Sequence, residues 1–373
     1  MKSVLLLLTA LIALSSCEDY PEPKHLSGGE IDEVIIILDN ERVHSALSGL
    51  LTEIFSEPYV VVNEAETRFN ARIKSYSQFV NAKDLLRKYR TLVFCVSADH
   101  RSDLTALVEE TIGSENVARS LRDTAFLLAT ARDVYARPQL VAYAYAPTED
   151  ELMKRLTAQR QRLLDRITSS ENLRLQEMLF ATGRDTALSR TIAQKYGIRF
   201  EVPPYYFTVM DTAGLMWLQR EEVIKDASGR IVLEKKQNVV FYPFSFSASE
   251  LAGMTDSEIS WPVAYHYPYV LRDSLGTIIR SGDMSVPLMI DKKNAPLVQR
   301  EFTHNGLRVI ESRGLWRTRG IGGPFINWLV YKNEHDAVMI DCFLYAPGSE
   351  KRPLMREFEA LLGMVEVADG PAR

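Results

Sequence analysis

Hydrophobic and polar positions divide the chain into blocks. Val4 to Leu14 is apolar except for Thr9 and follows one positive residue, Lys2, whereas Glu18 to Glu30 mixes charges, prolines and Gly28-Gly29 with almost no apolar content. The first block reads as a secretory signal peptide over 1–16, too short to cross a hydrocarbon core of about 30 Å. The second predicts a flexible tether over 17–30. Val34-Ile35-Ile36-Ile37-Leu38 is a continuous β-branched run, as in a buried strand, and Val43, Leu47, Leu50, Leu51, Ile54 and Phe55 then recur at helical spacing. Phe69, Ala71 and Ile73 alternate with polar neighbours, Phe79, Leu85, Leu86 and Tyr89 mark a second helix, and Leu92 to Val96 is another strand. A short helix over Leu104 to Ile112, strands at Ala125 to Ala131 and Gln139 to Tyr145, and a long helix from Glu149 to about Ile167 complete an N-terminal α/β unit, 31–170. That last helix carries Lys154, Arg155, Arg160, Arg162 and Arg166. Asp150, Glu151 and Asp165 interrupt the row, so we read it as a solvated face rather than a contact for anionic lipid.

Ser169 to Gly183 reads as a linker, followed by a helix capped by Asp185 and stopped at Gly197. The C-terminal unit, 184–366, then shows strands at Ile198 to Val202, Tyr206 to Met210, Leu215 to Arg220 and Asn238 to Phe246. Pro268 opens a helix in this reading, and Ser285 to Ile290 forms a strand. Asn305-Gly306 between two alternating runs is the strongest hairpin signal. Phe325 to Tyr331 and Ala337 to Leu344 flank a further turn, and Leu354, Phe358, Leu361 and Leu362 give the closing helix its apolar face. The pattern predicts an α+β fold: two units of mixed or antiparallel sheet with packed helices. Tyr145-Ala146-Pro147 and Tyr345-Ala346-Pro347 each follow a strand and precede a helix, which raises a distant internal duplication. Different strand orders around the two turns would exclude it.

Composition changes the picture at two points. The 373 residues are 46% hydrophobic and 25% charged, a globular balance. The net charge of −5, without a basic block, lacks the footprint of nucleic-acid binding. The cysteines bear on address. Leu14-Ser15-Ser16-Cys17 resembles the bacterial lipoprotein signal, in which small residues precede a cysteine whose thiol takes up diacylglycerol. The resemblance implies that Cys17 becomes residue one, acylated with diacylglycerol and palmitate, and holds the chain on a membrane. An ordinary signal peptide with Cys17 incidental is the other reading. Cys95 and Cys342 sit in separate strand-like runs and are expected to be buried free thiols.

Chemical signatures are mostly missing. There is no Gly-Lys dipeptide of a phosphate loop, no His-Glu-x-x-His, no Cys-x-x-Cys and no Gly-x-Ser-x-Gly, so no metal or cofactor is predicted. Gly320-Ile321-Gly322-Gly323-Pro324 does not fit a dinucleotide fingerprint, because proline follows where a helix should open. The densest candidate is Glu311 to Arg319. Arg313 and Arg317 beside Trp316 could recognise a carboxylate or phosphate by forked hydrogen bonds under an indole face, or could simply form a strand with Leu315 and Arg317 on one side and Trp316 on the other. All four tryptophans lie in the second unit, and Tyr265, His266, Tyr267, Pro268 and Tyr269 form a group too dense to point inward from one short element. Candidate ligand-binding residues are therefore Arg313, Trp316, Arg317, Tyr265 and Tyr267.

Arg313-Gly314-Leu315-Trp316, Gly322-Gly323-Pro324-Phe325 and Tyr345-Ala346-Pro347-Gly348 through Arg356 resemble an uncharacterised family of predicted Bacteroidota envelope lipoproteins, catalogued as a domain of unknown function. Glu57-Pro58 and Val134 to Leu140 extend the resemblance into the first half. Asp256 to Asp291 is longer than the family pattern. The resemblance implies a lipid-anchored protein of a didermal envelope, most simply at the outer membrane, and Glu18-Asp19 after Cys17 leaves the leaflet open. The expectation is a non-enzymatic binding or assembly component with an envelope protein partner. The alternatives are an envelope hydrolase or glycan-modifying enzyme using Asp273, His266 and Arg313, and a peptide or glycan binder using the second-unit aromatics.

Overall fold

The structure, a computed structural model, describes residues 24–60, 66–125, 128–212, 214–245, 289–291, 293–294, 297–318 and 321–368. Its architecture is α+β. In the first sheet, β1 (Glu33–Leu38), β2 (Asn70–Ser75), β3 (Thr91–Ser97), β4 (Leu128–Arg132) and β5 (Leu140–Ala146) lie in the order β2-β1-β3-β5-β4, parallel except for β4. β1, β3 and β5 are buried at every position, which is why they read as unbroken apolar runs: helices cover both faces and leave no polar side to alternate. The covering helices include α1 (Ala46–Phe55), α2 (Tyr76–Asn81), which a short helix at Lys83–Leu86 follows, α3 (Asp103–Arg122), kinked at Gly113, and α4 (Glu149–Ala158). α1 and α4 bury Leu47, Leu51, Leu152 and Leu156 on one face, while α2 and α3 bury Phe79, Leu104 and Val108 on the other.

The expected linker is largely helix. The chain breaks at Gln159 and restarts as α5 (Arg160–Leu179), so most of the span from 169 to 183 is ordered helix rather than connection. Leu163, Leu164 and Ile167 belong to the first sheet's core, and Leu175 and Leu179 to the second's. The polar residues Glu171 and Arg174 are buried between them, which obscured the apolar spacing. Of the basic row, Arg155 is also buried, with Nε donating to Glu151 (2.8 Å) and Nη1 to the Ser120 carbonyl (2.9 Å).

The second sheet contains β6 (Phe207–Asp211), β7 (Met216–Lys225), β8 (Ile231–Ser245), β9 (Met289–Ile290), β10 (Val298–His304), β11 (Leu307–Arg317), β12 (Gly322–Tyr331) and β13 (Asp336–Tyr345). It is antiparallel, ordered β6-β7-β8-β13-β12-β11-β9, with β10 also paired to β11. α6 (Thr186–Tyr196), the end of α5 and α7 (Arg352–Leu362) cover one face. Asp185 caps α6 by accepting from the Ala187 and Leu188 N–H groups. Asn305 and Gly306 both have positive φ, 48° and 78°, as a two-residue type I′ turn requires.

Two further expectations are corrected. β5 lies between a parallel and an antiparallel neighbour, whereas β13 lies between two antiparallel ones, so the repeated Tyr-Ala-Pro marks no duplication. Proline after a strand arises independently as a way to turn. The tether is docked from residue 24: His25–Leu26 pairs with Ala136–Arg137, and the Gly28 N–H donates to the Lys88 carbonyl (2.7 Å). Main-chain bonds of this kind leave no mark in side-chain composition. Cys95 and Cys342 are free and buried in different sheets. Among the described residues no helix is long and apolar enough to cross a membrane.

Candidate functional site

A cleft of about 510 Å³ lies between α5 and the second sheet. Gln161, Asp165, Thr168 and Asn172 line it at spacings of four, three and four, one face of α5, beside Glu57, Pro58 and Tyr59. Val298, Arg300, Phe302 and His304 face them from alternate positions of β10, with Glu311 and Arg313 of β11 and Trp328 of β12 behind. Met355, Glu359 and Leu362 of α7 close the bottom. Each wall thus follows from an element's own period.

Glu311 is the electrostatic centre. Arg300 donates to it through Nε (2.8 Å) and Nη2 (3.2 Å), Arg313 through Nε (2.7 Å) and Nη2 (3.2 Å), and Trp328 through Nε1 (2.9 Å). Arg313 Nη1 also meets Glu359 Oε1 at 2.6 Å, and Arg356 pairs with both Glu359 and Asp32. Burial alone would raise the Glu311 carboxyl, but the Arg313 and Arg300 guanidiniums overcome it and hold it at about 2. Glu359 is likewise held at about 2, with Arg356 and Arg313 overcoming its burial. Both stay ionised across the neutral range, so neither exchanges a proton there. Burial lowers His304.

Two polar atoms lining the cleft make no hydrogen bond to this compensated network, although the Arg313 and Arg356 guanidiniums lie over the Tyr59 ring at 5.7 and 5.9 Å. The Tyr59 hydroxyl and the Asn172 side-chain carbonyl are buried and have no hydrogen-bond partner among the described residues. Burial also raises the Tyr59 phenol, so it remains a neutral O–H donor. The cleft lining thus holds one buried donor and one buried acceptor without partners among the described residues.

Of the residues singled out in the sequence, Arg313 is in this cleft, and the carboxylates it forks onto are the chain's own Glu311 and Glu359. Trp316 faces the other side of the sheet, its Nε1 donating to the Leu344 carbonyl (3.0 Å). Arg317 is 58% exposed and lies 3.7 Å from Asp291. Strand alternation therefore separates Arg313 from Trp316, and Trp316 and Arg317 border a second hollow beside Gly322 and Gly323. Cys17, Tyr265, Tyr267, His266 and Asp273 lie outside the described residues. Sequence reading missed Glu359, Tyr59 and Asn172, and took Glu311 only as the start of the Glu311 to Arg319 stretch, not as a site residue. For Glu311 the signal was present: Leu307, Val309, Glu311 and Arg313 share one inward-facing row, and charges there imply a buried pair.

Residues 27–180 match the model of a domain of unknown function (DUF8532), and residues 185–363 match that of another (DUF4837). A crystal structure of a protein from Bacteroides thetaiotaomicron VPI-5482 is similar at 11% identity over 48% of this chain and 47% of that one, with a TM-score of 0.24. The chain thus spans less than half of that protein. No curated protein matches. Two uncharacterised domains meeting near 180–185 fit an uncharacterised family.

Proposed function

We propose that this chain is a non-enzymatic binding component of a bacterial cell envelope, anchored by lipid on Cys17, most simply at the outer membrane. Its cleft would receive a peptide or glycan, a ligand rich in neutral hydrogen-bonding groups. The observation that supports binding is the division of labour in the cleft: its buried carboxylates and guanidiniums are paired with one another, while Tyr59 Oη and Asn172 Oδ1 are buried without a partner among the described residues. Charged groups committed to each other hold shape. Glu311 and Glu359 are held too low to move a proton at neutral pH, so neither serves as a general acid or base there.

Trp328 borders the cleft, so its fluorescence reports occupancy. Titrating the full chain with soluble cell-wall glycan and with peptide should give a saturable signal that Asn172→Ala and Phe302→Ala weaken about tenfold or more. Product release from either polymer, abolished by Glu311→Gln, would replace binding by hydrolysis. For the anchor, labelled palmitate should enter the wild-type chain and not Cys17→Ala. Equal labelling, or none in either, would remove the lipid.

A further inference from the structure

Among the described residues the cleft's β10 wall is also a sheet edge, and we infer from its geometry that the ligand is an extended peptide segment of a partner protein, bound as an added strand. This rests on the binding reading above. Because Asn305-Gly306 closes a two-residue hairpin, His304 and Leu307 form a hydrogen-bonded pair, as do Phe302 with Val309 and Arg300 with Glu311. Glu301 and Thr303 therefore turn their backbone N–H and C=O outward, and no strand among the described residues pairs with that side. An added strand would bond there, with alternate side chains directed over the cleft beside Phe302.

Charge supports this edge. Sheet edges usually repel added strands by presenting charge or a bulge. Here Arg300 is forked onto Glu311, and Glu301 accepts from Arg308 Nε (2.7 Å) and Nη2 (3.3 Å), so both charges of β10 are neutralised within its own strand pair. The register of β10 is continuous over Val298–His304. The opposite edge, β6, has an irregular register between Thr208 and Met210, the kind of interruption that discourages pairing. A sugar would use the cleft but has no use for a row of backbone groups spaced for a strand.

The test is selection of linear dodecamer peptides from a phage library on the full chain, followed by affinity measurement on variants. Thr303→Pro removes an outward N–H while leaving the bonds to β11, and Thr303→Val retains it. The expected result is peptides with side-chain preference at every second position, whose affinity falls tenfold or more with Thr303→Pro and little with Thr303→Val. N-methylation of alternate peptide amides should abolish binding without touching the protein. Selected peptides indifferent to both changes, or no peptide whose binding depends on Asn172 or Phe302, would overturn the inference. Binding of a cell-wall disaccharide that Asn172→Ala abolishes and Thr303→Pro spares would keep the cleft and exclude the strand. Failure of both probes would remove the binding reading itself.

Discussion

Arg356 Nε donates to Asp32 Oδ1 at 3.1 Å although the two are 324 positions apart, and their side chains are 1% and 0% exposed. Asp32 precedes the first strand of one sheet, and Arg356 lies in the helix that covers the other. The pair therefore ties the start of the folded chain to its end. It sits beside α5, whose Thr168 carbonyl accepts from Arg356 Nη2 (3.3 Å).

Removing one partner of such a pair leaves an uncompensated buried charge, so Arg356→Met should cost about 3–5 kcal/mol. Because α5 contributes to both cores, the wild type should unfold in one transition. The variant should lose stability and separate the unfolding of the two sheets. Urea denaturation followed by circular dichroism and by tryptophan fluorescence checks this. All three described tryptophans, Trp217, Trp316 and Trp328, lie in the second sheet, so the two probes should coincide in the wild type and diverge in the variant.

Gly323 packs where a side chain has no room: a Cβ there would lie 2.0 Å from the Leu344 carbonyl oxygen. Gly348, at φ +69°, faces open space and needs only the left-handed conformation. Gly323→Ala should therefore destabilise by about 3 kcal/mol or more through overpacking, and Gly348→Ala by about 1–2 kcal/mol through backbone strain alone. Thermal unfolding of the two variants should rank them in that order. Equal losses would mean that β12 shifts to accommodate the methyl.

How legible was this in the sequence? Elements whose stability comes from one dominant pattern read correctly: the β-branched run of β1, the Asn305-Gly306 turn, the α6 cap at Asp185. Elements built on compromise did not. α5 buries Glu171 and Arg174 between two sheets, so its polar residues mimicked a linker, and the docked segment at His25–Leu26 pairs through its main chain. The site shows the same division. Arg313 announced itself by residue type, but the carboxylates that occupy it come from β11 and α7, and a fork spanning 313 to 359 has no local signature.

Glu66 supplies a test of how the two halves are held. Its carboxylate accepts from the Lys351 N–H at 2.8 and 3.1 Å and from the Arg352 N–H at 2.7 Å, so it caps α7 from 285 positions away. Among the interactions at this helix start, it takes the place of a side-chain cap at Lys351, which makes none. Glu66→Ala should cost about 1–2 kcal/mol, the ordinary value of a lost cap, and hydrogen exchange should accelerate at the amides of Lys351 and Arg352. Glu66→Gln, which keeps an acceptor, should recover part of the loss. If neither variant changes exchange there, α7 is held by its apolar face alone.

Acid should attack the cleft network. Glu311 and Glu359 are held at about 2 in the fold against 4.5 for a free carboxyl, so their contribution is fully present above about 4.5 and is lost as pH falls toward 2. By linkage each contributes about 3 kcal/mol at most, and less together because they share Arg313. Asp32 and Glu357, raised by burial, act in the opposite sense and offset part of the slope. The wild type should therefore lose stability between pH 4.5 and 2. In Arg313→Met, Glu311 keeps Arg300 and the Trp328 N–H but loses one of its two guanidiniums, and Glu359 keeps Arg356, so both carboxyls should rise. That variant should be less stable at pH 7 and lose less on acidification. Urea midpoints measured from pH 2 to 7 on both proteins decide the matter. Parallel curves would show that Arg313 does not set these carboxyls, and the account of the cleft as a charge-compensated frame would fail with it.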